Sequence, residues 1–133
     1  MSIWGRRIST EPIAVIAIVF MVAMGVARVL MGENAREITL VARDMAFYVD
    51  GESNSANPVI DARVGETLRI VLKNRDRGMT HDFAVPSAGA STAVLKWNEE
   101  DAVTFRVPTE PGTYEYVCRP HLLMMKGRLV VTK

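Results

Sequence analysis

Residues 114–131 read YEYVCRPHLLMMKGRLVV, with a cysteine at the end of one apolar run and a glycine near the start of the next. Both runs alternate or contain β-branched side chains, which is typical of strands. They predict strands at Thr113–Cys118 and Gly127–Thr132, separated by the loop Arg119–Lys126. The loop therefore begins just after the cysteine and returns the chain to a neighbouring strand.

Four potential metal ligands lie close together at this loop. Cys118 is the single cysteine, His121 follows it by three residues, and the methionines Met124 and Met125 follow within four more. The other histidine, His81, lies 37 residues upstream, at the start of another apolar run. A soft thiolate with two imidazoles suits copper in both oxidation states, and a weak axial thioether tunes its potential. Zinc fits such a donor set poorly. The pattern predicts one copper ion, with either methionine as its fourth ligand.

Short apolar runs separated by turn residues continue upstream of this loop, and no helical period is evident. Seven or eight short strands at such spacing predict an all-β fold, an antiparallel Greek-key β-sandwich or barrel. The further predicted strands are Ile38–Phe47, Val59–Val64, Leu68–Leu72, Asp82–Val85 and Val103–Val107.

The N-terminal part has a different composition. Residues 13–31, IAVIAIVFMVAMGVARVLM, contain one charge, Arg28. Nineteen residues of helix span roughly 28 Å, close to the thickness of a bilayer core. The sequence predicts a single transmembrane helix at the inner (cytoplasmic) membrane. By the positive-inside tendency its C-terminal domain lies in the periplasm. The expected order is a cytoplasmic segment 1–12, the anchor 13–31, a short tether 32–36 and the domain 37–133.

A cleaved signal peptide is the alternative for this segment, because Gly25-Val26-Ala27 offers small residues near a cleavage point. The apolar run continues past that point and exceeds the 7–15 residues typical of a signal sequence, which favours an anchor. Both alternatives export the domain.

Charge and cysteine count exclude several functions. The 133 residues carry a net charge of +1, so the chain lacks the basic field of a nucleic-acid-binding protein. A single cysteine excludes an intrachain disulfide and a binuclear copper centre that needs two cysteines. Since the pattern contains no acid–base pair or substrate pocket, we expect no enzyme and no small-molecule substrate.

The ligand loop resembles those of known copper proteins. Cys118-Arg-Pro-His121 resembles plastocyanin and amicyanin, and His121-Leu-Leu-Met-Met125-Lys-Gly127 resembles azurin. Thr80-His81-Asp82-Phe83, followed by Pro86, resembles the upstream histidine strand of cupredoxins. The resemblance covers about Ile38 to Lys133. It implies a cupredoxin fold with type 1 copper held by His81, Cys118, His121 and a methionine. Met125 is favoured over Met124 because it keeps the Met-x-Gly step.

One departure concerns Asp82, since azurin and plastocyanin usually have asparagine there. We expect its side chain to tie the two ligand loops together, and its charge to lower the reduction potential. Leu122, Leu123 and Arg119 are candidates for partner docking.

The resemblance implies a carrier of single electrons between redox partners at the periplasmic face, such as a membrane-bound redox complex or cytochrome. Two alternatives stay open. One is a structural subunit of a respiratory or photosynthetic membrane complex, with an idle or absent copper site. The other is a periplasmic copper chaperone.

Overall fold

The computed structural model describes residues 34–52 and 55–133, and in this part of the chain nine strands form two sheets. The all-β prediction is confirmed. The strands are β1 (Arg36–Arg43), β2 (Ala46–Val49), β3 (Ile60–Arg63), β4 (Thr67–Asn74), β5 (Ala84–Val85), β6 (Ala90–Ser91), β7 (Glu100–Arg106), β8 (Gly112–Val117) and β9 (Lys126–Thr132).

The two sheets share one apolar core. One sheet has the order β2-β1-β4-β7 and the other β3-β9-β8-β5-β6. Strand β4 shows why its sequence forms a strand, because every second side chain, Leu68, Ile70 and Leu72, is fully buried. The core also contains Phe47 of β2, Tyr116 of β8 and Phe83 just before β5, and these rings pack against one another.

The expectation of purely antiparallel sheets is wrong. Strand β1 pairs parallel to β4, with Ile38 opposite Ile70, and β3 pairs parallel to β9, with Ile60 opposite Leu129. The reason lies in the connections. Between β1 and β4 the chain crosses to the other sheet to form β3, and it returns in the original direction. Hydrophobic alternation records which face of a strand is buried, but not the direction of its neighbour.

The predicted strand Ile38–Phe47 is also wrong, because it is a hairpin. Strands β1 and β2 are joined by Asp44 and Met45, and Arg43 pairs with Ala46. Both turn residues have positive φ, 51° and 58°. A two-residue turn of this kind matches the twist of the flanking strands but usually contains glycine or asparagine.

The N-terminal predictions concern residues outside this part of the chain. The cytoplasmic segment 1–12, the anchor 13–31 and the start of the tether 32–36 all precede Asn34. Within residues 34–52 and 55–133, no helix is long and apolar enough to cross a membrane.

Two loops at one end of the domain present the candidate ligands. The first follows β4, and buried Asn74 shapes it by donating through Nδ2 to the carbonyls of Met79 (2.9 Å) and Leu95 (3.0 Å). His81 then pairs with Leu95 through two backbone hydrogen bonds of 3.0 and 2.7 Å. The second loop joins β8 to β9, and the N–H of Cys118 closes it by donating to the carbonyl of Met125 (2.9 Å).

Candidate metal centre

Three ligand atoms converge between the two loops. Cys118 Sγ lies 3.6 Å from His81 Nδ1 and 3.6 Å from His121 Nδ1, and the three donor atoms lie within 4.8 Å of one another. His81 and Cys118 are fully buried, whereas His121 is partly exposed. Metal–nitrogen and metal–sulfur bonds of about 2.0 and 2.3 Å at 120° would place N and S about 3.7 Å apart. The spacing of the donor atoms therefore fits residues that would together hold one metal ion.

The protonation of His81 leaves the correct nitrogen free. Its outer nitrogen, Nε2, lies 3.1 Å from Asp76 Oδ2. A carboxylate accepts, so Nε2 carries the proton and Nδ1 keeps a lone pair directed at Cys118. Burial lowers the pKa of His81, although the hydrogen bond to Asp76 opposes this effect. The imidazole is therefore neutral at pH 7, as a metal ligand must be.

The thiol of Cys118 is protected from solvent. Burial raises its pKa, while hydrogen bonds from the backbone N–H groups of Asp82 and His121 lower it. In the absence of a metal the thiol therefore keeps its proton near neutral pH. Binding of a metal ion would require the thiolate form, which the two backbone N–H groups would stabilise.

The two methionines of the loop lie in opposite environments. Met125 is fully buried in the core cluster, and 63% of Met124 is exposed. The turn after His121 produces this difference, since the N–H groups of Met124 and Met125 both donate to its carbonyl, at 3.0 and 2.9 Å. His81, Cys118, His121 and Met125 are thus positioned as a type 1 copper site, and their N₂S donor plane with a thioether is suited to copper.

Asp82 connects the two ligand loops through hydrogen bonds. It is fully buried, and its carboxylate accepts hydrogen bonds from the backbone N–H of Arg119 (2.7 Å) and from Arg119 Nε (2.5 Å). The sequence predicts a docking role for Arg119. Its 54% exposed side chain also pairs with the buried carboxylate, so Asp82 does not act on the site as an isolated charge.

Sequence reasoning missed Asp76 altogether. It lies in the polar segment Asn74–Thr80, five residues before His81, and no motif spacing marks it. Only the folded loop brings its carboxylate to the outer face of the histidine.

Exposed apolar side chains directly follow His121 in the loop. Leu122 and Leu123 are 53% and 91% exposed, and Met124 continues this surface. Together Leu122, Leu123 and Met124 are called the apolar patch below.

Comparisons with known proteins show what this chain is similar to. The cupredoxin-like domain family matches residues 13–131. No curated protein sequence matches the chain. A structure of auracyanin B superposes with a TM-score of 0.60 at 25% identity, covering 74% of this chain and 90% of that one. Auracyanin A, a "blue" copper protein from the green thermophilic photosynthetic bacterium Chloroflexus aurantiacus, gives 0.57 at 21% identity, covering 74% and 100%.

The same fold also occurs within an enzyme. The copper-containing nitrite reductase of Thermus scotoductus superposes with a TM-score of 0.57 at 24% identity. The match covers 73% of this chain but 27% of the reductase, so it compares this chain with one part of a larger protein.

Proposed function

Because this chain belongs to the family of cupredoxin-like domains, we propose that it is a type 1 copper protein that carries single electrons between redox partners. The observation that carries this proposal is the convergence of the ligand atoms of His81, Cys118 and His121, with Met125 buried in the loop that follows Cys118. When bound, copper supplies a one-electron couple. The protein holds its ligands on two loops that hydrogen bonds fix in place, so little rearrangement accompanies a change of charge.

The exposed edge of His121 is the proposed point of electron exchange. The other three ligands are fully buried, and the exposed apolar patch directly follows His121 in the chain. An apolar surface lets a partner approach closely after water is expelled, while nearby charges such as Arg119 orient it. We expect one-electron transfer to pass through the imidazole of His121.

Residues 13–31 support a membrane location for this exchange. One charge in nineteen residues suits an anchor that holds the domain at the periplasmic face of the inner membrane. The proposed partners are therefore a membrane-bound redox complex or a cytochrome. A membrane test compares the full chain with residues 34–133, and only the full chain should stay in the membrane fraction after an alkaline wash.

The copper test uses colour. Purified protein with Cu(II) should show the intense visible absorption of a Cu(II)–thiolate bond, and one electron per chain should abolish it. Cys118→Ala should show neither. A wild-type chain without this colour would contradict the proposal and favour the structural-subunit alternative. Binding of Cu(I) without a coloured Cu(II) form would favour a copper chaperone.

The docking test uses electron self-exchange, because two copies must bring their apolar patches together. Leu123→Asp should slow self-exchange between reduced and oxidised protein at least tenfold, since it adds like charges to the contact. Val64→Asp is a matched control, because Val64 is an exposed valine beside the far end of β9. Equal rates for both variants would place the contact elsewhere.

A further inference from the structure

We propose that Asp76 is a positioning residue of the copper site, one that fixes His81 for binding and favours the oxidised ion. Its Oδ2 lies 3.1 Å from His81 Nε2, on the side of the ring opposite Cys118. His81 is fully buried and 19% of the Asp76 side chain is exposed. The contact is thus made largely out of water.

The carboxylate is held from several directions. The Asp76 backbone N–H donates to Asn74 Oδ1 (2.8 Å), and its carbonyl accepts from the N–H of Met79 (3.3 Å). Its Oδ2 also accepts from the N–H of Met45 in the β1–β2 turn (3.2 Å). These bonds fix both the backbone and the side chain. Asp76 therefore reaches His81 as part of the folded loop, and not as a freely rotating surface group.

Asp76 should act on the copper site through the imidazole of His81. A carboxylate at the outer nitrogen fixes the tautomer and the ring orientation, and it makes the inner nitrogen a stronger donor. Cu(II) carries one more positive charge than Cu(I), so a stronger donor and a nearby anion stabilise Cu(II) more. Asp76 should therefore increase copper affinity and lower the reduction potential.

This inference rests on the proposed function in requiring that copper is bound. The main variant is Asp76→Asn, which keeps the size of the side chain and a carbonyl acceptor but removes the charge. Asp44→Asn is the matched control. It removes one charge from the neighbouring turn, asparagine tolerates its φ of 51°, and Asp44 pairs with Arg43 and not with His81.

Chelator competition should give the Cu(II) and Cu(I) dissociation constants of each protein. For Asp76→Asn we expect the Cu(II) constant to rise about 10- to 100-fold, the range found for such outer partners. The Cu(I) constant should rise less. Each tenfold difference between the two corresponds to a potential about 59 mV higher, which voltammetry measures independently. Asp44→Asn should change neither constant more than about threefold.

Three results would overturn the inference. The first is an unchanged Cu(II) dissociation constant in Asp76→Asn, and the second is an equal change in Asp44→Asn. The third is a loss of stability of metal-free Asp76→Asn large enough to account for its whole loss of affinity. Denaturant unfolding of the metal-free proteins separates that last, purely structural effect. Asp76→Glu keeps the charge on a longer side chain and should recover part of the affinity.

Nitrogen-15 NMR of wild-type protein with Cu(I) tests the geometry without a variant. We expect a slowly exchanging proton on His81 Nε2, and a proton on Nδ1 would overturn the inference. A wild type without the Cu(II)–thiolate colour would contradict the proposed function itself. A coloured wild type with an unchanged Asp76→Asn variant would overturn only the role of Asp76.

Discussion

At the scale of single residues, the site depends on which of two adjacent methionines faces inward. Met125 is fully buried, whereas 63% of Met124 is exposed. Because a thioether donates weakly to Cu(II), its loss should destabilise the oxidised form and raise the reduction potential. We therefore expect Met125→Leu to raise the potential and shift the visible spectrum, as measured by voltammetry and absorption.

Met124→Leu is the matched control, since it makes the same change on the exposed side of the same turn. It should leave both properties unchanged. If Met124→Leu shifted the spectrum and Met125→Leu did not, the axial assignment would be reversed.

The pair formed by Asp82 and Arg119 gives a second prediction. Asp82→Asn removes the negative charge and should raise the potential, whereas Arg119→Gln leaves the buried carboxylate uncompensated and should lower it. Arg119→Gln should also destabilise the metal-free protein by about 2 kcal/mol, the usual value of a hydrogen bond to a charged group. Voltammetry and denaturant unfolding measure the two effects. Potentials that move in the same direction in both variants would contradict this electrostatic account.

At this scale the sequence predicts the metal ligands that share one short loop. The spacing of Cys118, His121 and the methionines follows from the chain itself, and His81 was found through its strand context. The contact of Asp76 with His81 depends on how one loop folds back on itself. The pairing of Arg119 with Asp82 depends on how two distant loops fold against each other. Such contacts leave no spacing signal in one sequence.

At the scale of elements, Gly127 explains why the ligand loop ends as it does. A Cβ atom at this position of β9 would lie 2.2 Å from the ring of Tyr116 on the neighbouring strand β8. The ring cannot move away easily, because it stacks on Phe83 and its hydroxyl donates to the carbonyl of Pro58. The glycine after Met125-Lys126 is therefore required by packing and not by an unusual φ.

Gly127→Ala should lower the free energy of unfolding by about 3 kcal/mol, as overpacking does in a rigid core. Gly112→Ala is the matched control, since its added Cβ would lie 3.8 Å from Tyr114, an ordinary contact on β8. Denaturant unfolding of both variants measures the difference. Equal stability would show that β8 and β9 can separate locally at low energy.

The turn between β1 and β2 cannot be predicted from the local sequence. The apolar pattern from Ile38 to Phe47 is that of a strand, and Asp44-Met45 contains no glycine to mark a turn. Both residues nevertheless adopt positive φ. Tertiary contacts support the turn, since the Met45 N–H donates to Asp76 and the Phe47 N–H to Asn57. Local propensity is therefore overridden by bonds to distant loops.

At the scale of the whole molecule, composition and strand spacing were sufficient for a two-sheet β fold but not for its strand order. The parallel pairs β1–β4 and β3–β9 join segments about thirty or more residues apart. Their pairing is selected by the core that Leu40, Leu72 and Leu129 form between the sheets. This strand order depends on burial of apolar surface over the whole domain, so no local sequence pattern predicts it.

The ligands also make copper a cross-link of that domain. His81 follows β4, whereas Cys118, His121 and Met125 lie between β8 and β9, so one ion would join loops from segments distant in the sequence.

A ligand that binds only the folded state stabilises it by about 4 kcal/mol at a free concentration one thousand times its dissociation constant. In a domain of this size, each kcal/mol raises the melting temperature by about 4–8 °C. Calorimetry under anaerobic conditions with Cu(I) should therefore show a large rise on metal loading, reversed by a chelator. Cys118→Ser should retain the fold but lose most of this rise. Equal melting temperatures for loaded and metal-free wild type would mean that the two loops are not bridged by the ion.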